Sequence, residues 1–106
     1  MGSPTTTPSG SAAEKEFIAP LWNVVLLDDD AHTYDYVVEM LMRLFVKTAT
    51  EAYHHAVEVD STGRTVVMVC EQEAAQYARD QIQNYGADWR LPRSAGSMTA
   101  ILEPAA

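Results

Sequence analysis

The feature that most constrains this chain is an apolar run that stops abruptly at three consecutive carboxylates. Residues 24–27 (Val-Val-Leu-Leu) are uncharged and partly β-branched, which is typical of a short buried strand. Asp28, Asp29 and Asp30 follow directly. Because adjacent anions repel one another and lose hydration when buried, the triplet belongs at the exposed end of that strand. The pattern predicts a cleft there that binds a cationic group with an apolar appendage.

The strand is predicted over residues 22–27, and two helices are predicted after it. Thr33 is a suitable N-cap for the first helix, and apolar residues at helical spacing mark its inner face: Val37, Leu41, Leu44 and Phe45. Thr48 and Glu51 form the capping-box pattern that opens the second helix. Its inner face is small and apolar: Ala52, Ala56 and Val59. Gly63 is predicted to end it.

The second half of the chain predicts a strand, a helix, a loop and a short last strand. The second strand covers residues 65–70, and a third helix runs from about Glu71 to Tyr85 before Gly86. Its expected inner face is Ala74, Ala75, Ala78, Ile82 and Tyr85. Residues 87–96 are read as an irregular loop, and alternation over residues 98–102 predicts the third strand. The order β-α-α-β-α-β predicts an α+β fold, with three helices packed on a small, mostly antiparallel, three-stranded sheet.

Length and composition indicate one folded domain after a polar leader. A chain of 106 residues, 47% of them hydrophobic, is enough for one modest core. Residues 1–19 are rich in Ser, Thr, Pro, Gly and Ala, which predicts a disordered N-terminal extension, and residues 20–106 are the predicted domain. The opening Met-Gly-Ser is compatible with a cloning remnant.

Charge and cysteine content limit the classes of partner and compartment. The net charge of −8 argues against nucleic acid or an anionic membrane as partner, and favours a cationic ligand or a basic protein surface. Neither a secretory signal nor an apolar run of the ~18 residues that a membrane helix needs is legible. Cys70 is the single cysteine, which excludes an internal disulfide and fits a reducing, cytoplasmic setting.

Other interpretations of the acidic triplet remain open at this point. It fits a solvated turn, a divalent-cation site or the phospho-accepting end of a receiver-like domain. Neighbouring Asp side chains diverge, however, and the further Asp and Lys that a receiver needs are missing. His54 and His55 point about 100° apart on a helix, which suits a solvated pair better than a metal site. No nucleophile with an adjacent base is legible, so neither an enzyme nor a cofactor is expected.

The stretch from Trp22 to Val37 resembles the signature of ClpS adaptors, in which a strand ends in Asn-Asp-Asp before Thr-Pro-Met and an aromatic-Val pair. The resemblance extends over about residues 21–103. It implies an adaptor, expected as a cytoplasmic monomer, that binds the free N-terminal residue of N-degron substrates. It also implies delivery of those substrates to a Clp AAA+ unfoldase of the ClpA or ClpC type, assisted by the leader.

Under this resemblance, the family's Asn-Asp-Asp falls on Asp28, Asp29 and Asp30, and its amine-binding His falls on Asp60. Asp60 also ends the second helix, where the helix dipole disfavours an acid. The side-chain pocket is implied to comprise His32, Tyr34, Val37, Ala56, Val59 and Met98. Ala56 replaces a family Met that gates the pocket, so branched first residues such as Ile or Val are expected to fit. Glu73 matches a position that contacts the unfoldase, although an acid in the first turn of a helix is equally plausible there.

Overall fold

The acidic turn, residues 28–33, is positioned by three strands and three helices. The computed structural model describes residues 19–105. The elements are β1 (Leu21–Leu27), α1 (Tyr34–Leu44), α2 (Ala49–Thr62), β2 (Arg64–Glu71), α3 (Gln72–Gln83) and β3 (Ala100–Pro104). The predicted order and fold class are confirmed. The predicted disordered extension, apart from Ala19, lies outside the described residues.

β1 is the middle strand of the sheet and runs antiparallel to both neighbours. The strand order is β2-β1-β3. Val24 pairs with Met68 and Val25 with Val66, so the intervening Val67 is an extra residue that makes a bulge in β2. Val67 is nevertheless buried and belongs to the core. The acidic turn therefore begins at the end of a strand that is hydrogen-bonded on both sides.

Local capping residues set the ends of α1 and α2, as predicted. The Thr33 hydroxyl accepts a hydrogen bond from the Tyr36 backbone N–H at 3.1 Å. At the start of α2, Thr48 and Glu51 make the reciprocal capping box. Gly63 ends α2 with φ of 90°, a left-handed conformation that glycine adopts without steric penalty. The chain can therefore turn directly from α2 into β2.

The core lies between the sheet and the helices that pack on it. Its buried members are Val24, Leu26, Tyr36, Val37, Met40, Leu41, Ala52, Ala56, Val67, Ala75, Ala78, Ile82, Met98 and Ala100. The predicted inner face of α2 is buried as expected. On α1, burial centres on Tyr36, Val37, Met40 and Leu41, while Leu44 and Phe45 are only partly buried because they end the helix.

Four details of the predictions were wrong. Ala74 is exposed, because Ala75, Ala78 and Ile82 define the inner face of α3 and Ala74 lies about 100° from Ala75 around the helix. The helix ends at Gln83, before Tyr85.

The last strand starts at Ala100 and not at Met98. His55 is half-buried and its Nδ1 lies 2.8 Å from the Thr65 hydroxyl, so the two histidines are not a solvated pair. Burial lowers the pKa of His55, with the charge of Lys47 adding to the shift. Within residues 19–105, no helix is both long and apolar enough to cross a bilayer.

Candidate functional site

A cavity opens where the end of β1, the start of α1 and the end of α2 come together. Its volume is about 280 Å³, including the open mouth. The lining combines carboxylates, hydroxyl and imidazole groups with apolar side chains: Asp28, Asp29, His32, Thr33, Tyr34, Val37, Ala56, Val59, Asp60 and Met98. Neither Lys nor Arg is among these residues, so the polar side of the cavity favours a cation.

The backbone brings the end of β1 to the end of α2. The Asp28 N–H donates to the Gly63 carbonyl at 3.0 Å, and Gly63 is the C-cap of α2. Asp60 lies in the last turn of that helix. Asp28 and Asp60 therefore reach the same cavity from two elements, as the family resemblance implied.

Asp60 is held by a tyrosine from the start of α1. The Tyr34 hydroxyl donates to Asp60 Oδ2 at 2.5 Å. This hydrogen bond to the carboxylate raises the pKa of Tyr34 to about 12, so the phenol stays protonated and remains a donor. The Tyr34 ring also makes an edge contact with Tyr53, with ring centroids 5.9 Å apart. One carboxylate oxygen of Asp60 is thus fixed and the other is free to accept.

The acidic turn concentrates negative charge beside this helix end. Partial burial raises the pKa of Asp28, and the charges of Asp60, Asp29 and Asp30 add to the shift. Asp29 is oriented locally, since its Oδ1 accepts from the Ala31 N–H at 2.9 Å and faces His32 Nδ1 at 2.8 Å. A cation in the cavity would relieve the repulsion among these carboxylates.

The opposite wall of the cavity is apolar and almost inaccessible to solvent. Val37 comes from α1, Ala56 and Val59 come from α2, and Met98 precedes β3; each is at most 3% exposed. Ala56 contributes only a methyl group, which leaves room for a guest side chain. The site therefore places acceptors for a cation directly beside a hollow for an apolar group.

Of the residues predicted for the amine site and the side-chain pocket, the structure brings together all except Asp30. Asp30 is exposed and does not line the cavity; its backbone carbonyl accepts from Arg93 Nε at 2.7 Å. Glu73, predicted as the unfoldase contact, is exposed in the first turn of α3 and is not among the lining residues. Thr33 joins the lining although the sequence identified it only as an N-cap.

Asp88 supports the site and was missed by the sequence analysis. It is completely buried, and its Oδ2 accepts from the Thr33 N–H at 2.7 Å and from the Thr33 hydroxyl at 2.8 Å. Its Oδ1 accepts from the Arg90 N–H and from Arg90 Nη1. Burial by itself would raise the pKa of Asp88, but these donors outweigh it and hold the pKa below its usual value. An acid in an irregular loop gave no periodic signal that would have singled it out.

The site gives no support to the metal or receiver-like alternatives. Among residues 19–105, no three His, Cys, Asp or Glu side chains are placed to hold a metal ion. The antiparallel three-stranded sheet also differs from the alternating parallel arrangement of a receiver domain. Cys70 is half-buried in β2, where burial and the neighbouring Glu71 raise the pKa of its thiol, which disfavours a nucleophilic role.

Comparison with known proteins identifies similar sequences and a similar fold. A family model described as "ATP-dependent Clp protease adaptor protein ClpS" matches residues 18–92. The ClpS adapter protein of Nautilia profundicola is 42% identical over 90 residues, covering 83% of this chain and 87% of the relative. The ClpS adapter protein of Acetivibrio thermocellus is 32% identical over 84 residues, covering 79% and 80% respectively.

A solved structure, that of Agrobacterium tumefaciens ClpS2 bound to L-phenylalaninamide, superimposes with a TM-score of 0.70 at 23% identity. The match covers 82% of this chain and 99% of that protein. At this level of identity, the likeness establishes a shared fold.

Proposed function

Because the chain belongs to the ClpS family of Clp protease adaptors, we propose that its cavity binds the free N-terminal residue of a substrate protein. The α-ammonium group is bound by the carboxylates, and the first side chain fills the apolar hollow. The bound protein is then delivered to a Clp AAA+ unfoldase of the ClpA or ClpC type. The chain acts in the cytoplasm as a monomeric binding module without catalytic activity or a cofactor.

The observation that carries this proposal is the juxtaposition of carboxylates and apolar wall in one cavity. Asp28, Asp29 and Asp60 line one side, and Val59 and Met98 belong to the other. An α-amino group has a pKa near ~8 and is mostly protonated at pH 7. A hydrogen bond to a charged group contributes about 1.5–3 kcal/mol, so two or three of them and a filled hollow reach roughly micromolar affinity.

The family comparison supports this choice of ligand. The ClpS2 protein that shares the fold is bound to L-phenylalaninamide, a small molecule with a primary amine beside an aromatic side chain. Those are the two chemical groups that the cavity is equipped to hold. We assign Asp28, Asp29 and Asp60 to the amine, and Asp30 to a longer-range electrostatic contribution because its side chain does not line the cavity.

We assign the first side chain to the hollow lined by His32, Tyr34, Val37, Ala56, Val59 and Met98. The methyl group of Ala56 leaves space that a longer side chain would occupy. Branched first residues, Ile and Val, are therefore accepted together with Phe, Tyr, Trp and Leu.

Titration with peptides that differ only in residue one, each with a free and an acetylated N-terminus, tests the proposal. Binding is expected for apolar first residues and is expected to be lost on acetylation, which removes the positive charge. Equal binding of free and acetylated peptides would overturn the amine assignment. Rejection of Ile and Val together with tight binding of Phe and Leu would overturn only the broader specificity.

We assign delivery to regions outside the cavity. Glu73 is exposed at the start of α3 and is available to a basic unfoldase surface, and the segment before Ala19 is the proposed leader. Glu73→Arg is expected to abolish unfoldase-dependent degradation of a fluorescent substrate while peptide affinity stays unchanged. Removal of residues 1–18 is expected to have the same selective effect. Full degradation by both variants would contradict this assignment.

A further inference from the structure

Residues 86–97, the loop between α3 and β3, are hydrogen-bonded to the acidic turn formed by residues 28–33. We infer that this loop is a positioning element for amine binding, and that His32 is the positioning residue through which it fixes the carboxylate of Asp29. The inference rests on the proposed function and concerns how the same cavity attains its affinity for an ammonium group. Neither the loop nor His32 has to contact the amine to act in this way.

The loop is hydrogen-bonded to the acidic turn at three positions. Arg93 Nε donates to the Asp30 carbonyl at 2.7 Å. The Asp88 carboxylate accepts from the backbone N–H and the hydroxyl of Thr33. The third contact is between His32 Nε2 and the Gly96 carbonyl, at 2.7 Å. Because the contacts reach three positions of a six-residue turn, the conformation of the turn depends on the loop.

His32 transmits the third contact directly to a binding residue. Its Nδ1 lies 2.8 Å from Asp29 Oδ1 and 2.9 Å from Asp29 Oδ2, while its Nε2 faces Gly96. The side chain is only 4% exposed, and its ring centroid lies 4.5 Å from that of Tyr36. A rigid ring held at both nitrogens and against an aromatic face leaves the Asp29 carboxylate little freedom to rotate.

The directions of the two hydrogen bonds support a role for the His32 ring in joining Gly96 to Asp29. A carbonyl oxygen only accepts, so Nε2 must donate to Gly96, and an ionised carboxylate only accepts, so Nδ1 must donate to Asp29. Both bonds form together when the ring carries a proton on each nitrogen. The Asp29 carboxylate keeps lone pairs for the guest in this arrangement.

The loop is itself held in one conformation by its own hydrogen bonds. The Asp88 N–H donates to the Ser94 hydroxyl at 2.8 Å, and the Gly86 N–H donates to the Ser97 hydroxyl at 2.6 Å. Met98, which follows directly, forms part of the apolar wall. The loop thus connects the amine acceptors with the side-chain hollow, and fixing them before binding lowers the entropic cost of association.

Two ligands that differ only in the amine separate positioning from general damage to the pocket. L-phenylalaninamide carries the α-amino group, and 3-phenylpropanamide is the same molecule without it. We would measure both affinities by NMR titration with the full chain and compare their ratio among variants. A defect in positioning lowers the ratio, whereas a damaged pocket weakens both ligands together.

The two ends of the His32 ring can be tested independently. His32→Gln places an amide near the position of Nε2 and removes the donor to Asp29, while His32→Asn retains a donor near Nδ1 and does not reach Gly96. Arg93→Ala removes an exposed side chain from the loop. His54→Gln, His54→Asn and Arg43→Ala are matched controls, because these parent residues are exposed and lie outside the cavity lining.

Loss of a hydrogen bond that orients a charged group predicts a ratio about tenfold lower for His32→Gln. A reduction of about threefold is expected for His32→Asn and for Arg93→Ala, with the ratio unchanged in the controls. Because His32 also lines the hollow, its variants are expected to lose less affinity for 3-phenylpropanamide than for L-phenylalaninamide. Arg93 lies outside the lining, so Arg93→Ala is expected to leave 3-phenylpropanamide affinity unchanged. Unchanged ratios in all three variants would overturn the inference, as would equal weakening of both ligands.

If only His32→Gln lowered the affinity ratio, the role of the loop would be overturned, because His32→Asn and Arg93→Ala are the variants that remove contacts with the loop. Thermal unfolding of each variant checks the fold, and Arg93→Ala alone decides the role of the loop if the His32 variants unfold. If the unsubstituted protein binds both ligands equally, the proposed function itself fails, and that result is distinct from any variant outcome.

Discussion

At the residue scale, Asp28 is destabilised in its charged form by its surroundings. Burial and the charges of Asp60, Asp29 and Asp30 raise its pKa in the folded protein. A carboxyl whose pKa is raised on folding binds its proton more tightly in the folded state, so this group lowers stability as pH rises above about 3.8.

Asp28→Asn is therefore expected to increase the free energy of unfolding at pH 7 and to leave it unchanged at pH 3. Solvent screens the exposed turn, so the gain at pH 7 is expected to stay within about 0.5 kcal/mol. The same substitution is expected to weaken binding of a free N-terminus, since one negative charge is lost. Urea unfolding at both pH values and peptide titration test this, with Asp80→Asn on α3 as the control. A loss of stability at pH 7 would contradict the electrostatic explanation.

The pKa of Asp88 is shifted in the opposite direction to that of Asp28. Its pKa is lowered because donors from Thr33 and Arg90 outweigh the effect of burial. The stability that it contributes is therefore complete above its unfolded pKa of about 3.8 and is lost as pH falls through the lower folded value.

Asp88→Asn replaces an acceptor with an amide that faces donors, and it leaves Arg90 without one of its carboxylate partners. We expect a loss of about 3 kcal/mol at pH 7, measured by urea unfolding. The variant is also expected to lose less stability than the unsubstituted protein as pH falls below about 4, because the contribution of Asp88 is gone. Glu39→Gln, which removes the other carboxylate facing Arg90, is the control and is expected to cost less because Glu39 is more exposed. Equal losses in the two variants would contradict a special role for Asp88.

At the element scale, α2 determines the shape of the hollow. Its inner face carries Ala52, Ala56 and Val59, so the helix approaches closely and Ala56 leaves free volume in the wall. Ala56→Met fills that volume with a flexible side chain. Peptides that begin with Ile or Val are expected to lose about tenfold in affinity, while those that begin with Phe change by less than about threefold.

Titration with the same peptide panel measures this effect. Ala74→Met is the matched control, because Ala74 is exposed on α3 and does not line the cavity. Uniform weakening of all peptides by Ala56→Met would indicate overpacking of the core and would contradict a role in selectivity.

How much could be predicted from the sequence depended on how far apart the contacting residues lie along the chain. The caps at Thr33 and Thr48 were predicted correctly because the donors and acceptors lie within four residues of each other. The meeting of Asp28 and Asp60 was implied by the family resemblance. Asp88 and Gly96 were missed because they contact Thr33 and His32 from 55 and 64 residues away, through a loop without periodicity.

At the scale of the whole molecule, the chain carries a net charge of −8, and the cavity lining contains neither Lys nor Arg. A second positive charge on a peptide should therefore strengthen binding, and salt should weaken that gain because exposed charges are screened. A peptide Phe-Lys is expected to bind about threefold more tightly than Phe-Glu at low ionic strength, with the difference mostly lost near 0.5 M salt.

Fluorescence anisotropy across a salt series measures the difference. The uncharged 3-phenylpropanamide is the control and is expected to bind independently of ionic strength. A difference between Phe-Lys and Phe-Glu that persists unchanged at high salt would indicate a specific contact with residue two and not the overall charge.

The central position of β1 has a consequence for how the molecule opens. Its amides are bonded to strands on both sides, and beyond its last pairs the Leu27 N–H donates to the Thr99 carbonyl and the Asp28 N–H to Gly63. Local fluctuations that release an edge strand leave one of these partners in place. Amide deuterium uptake is therefore expected to be slowest along β1 and into Asp28, so transient fraying of the periphery leaves the attachment point of the acidic turn intact.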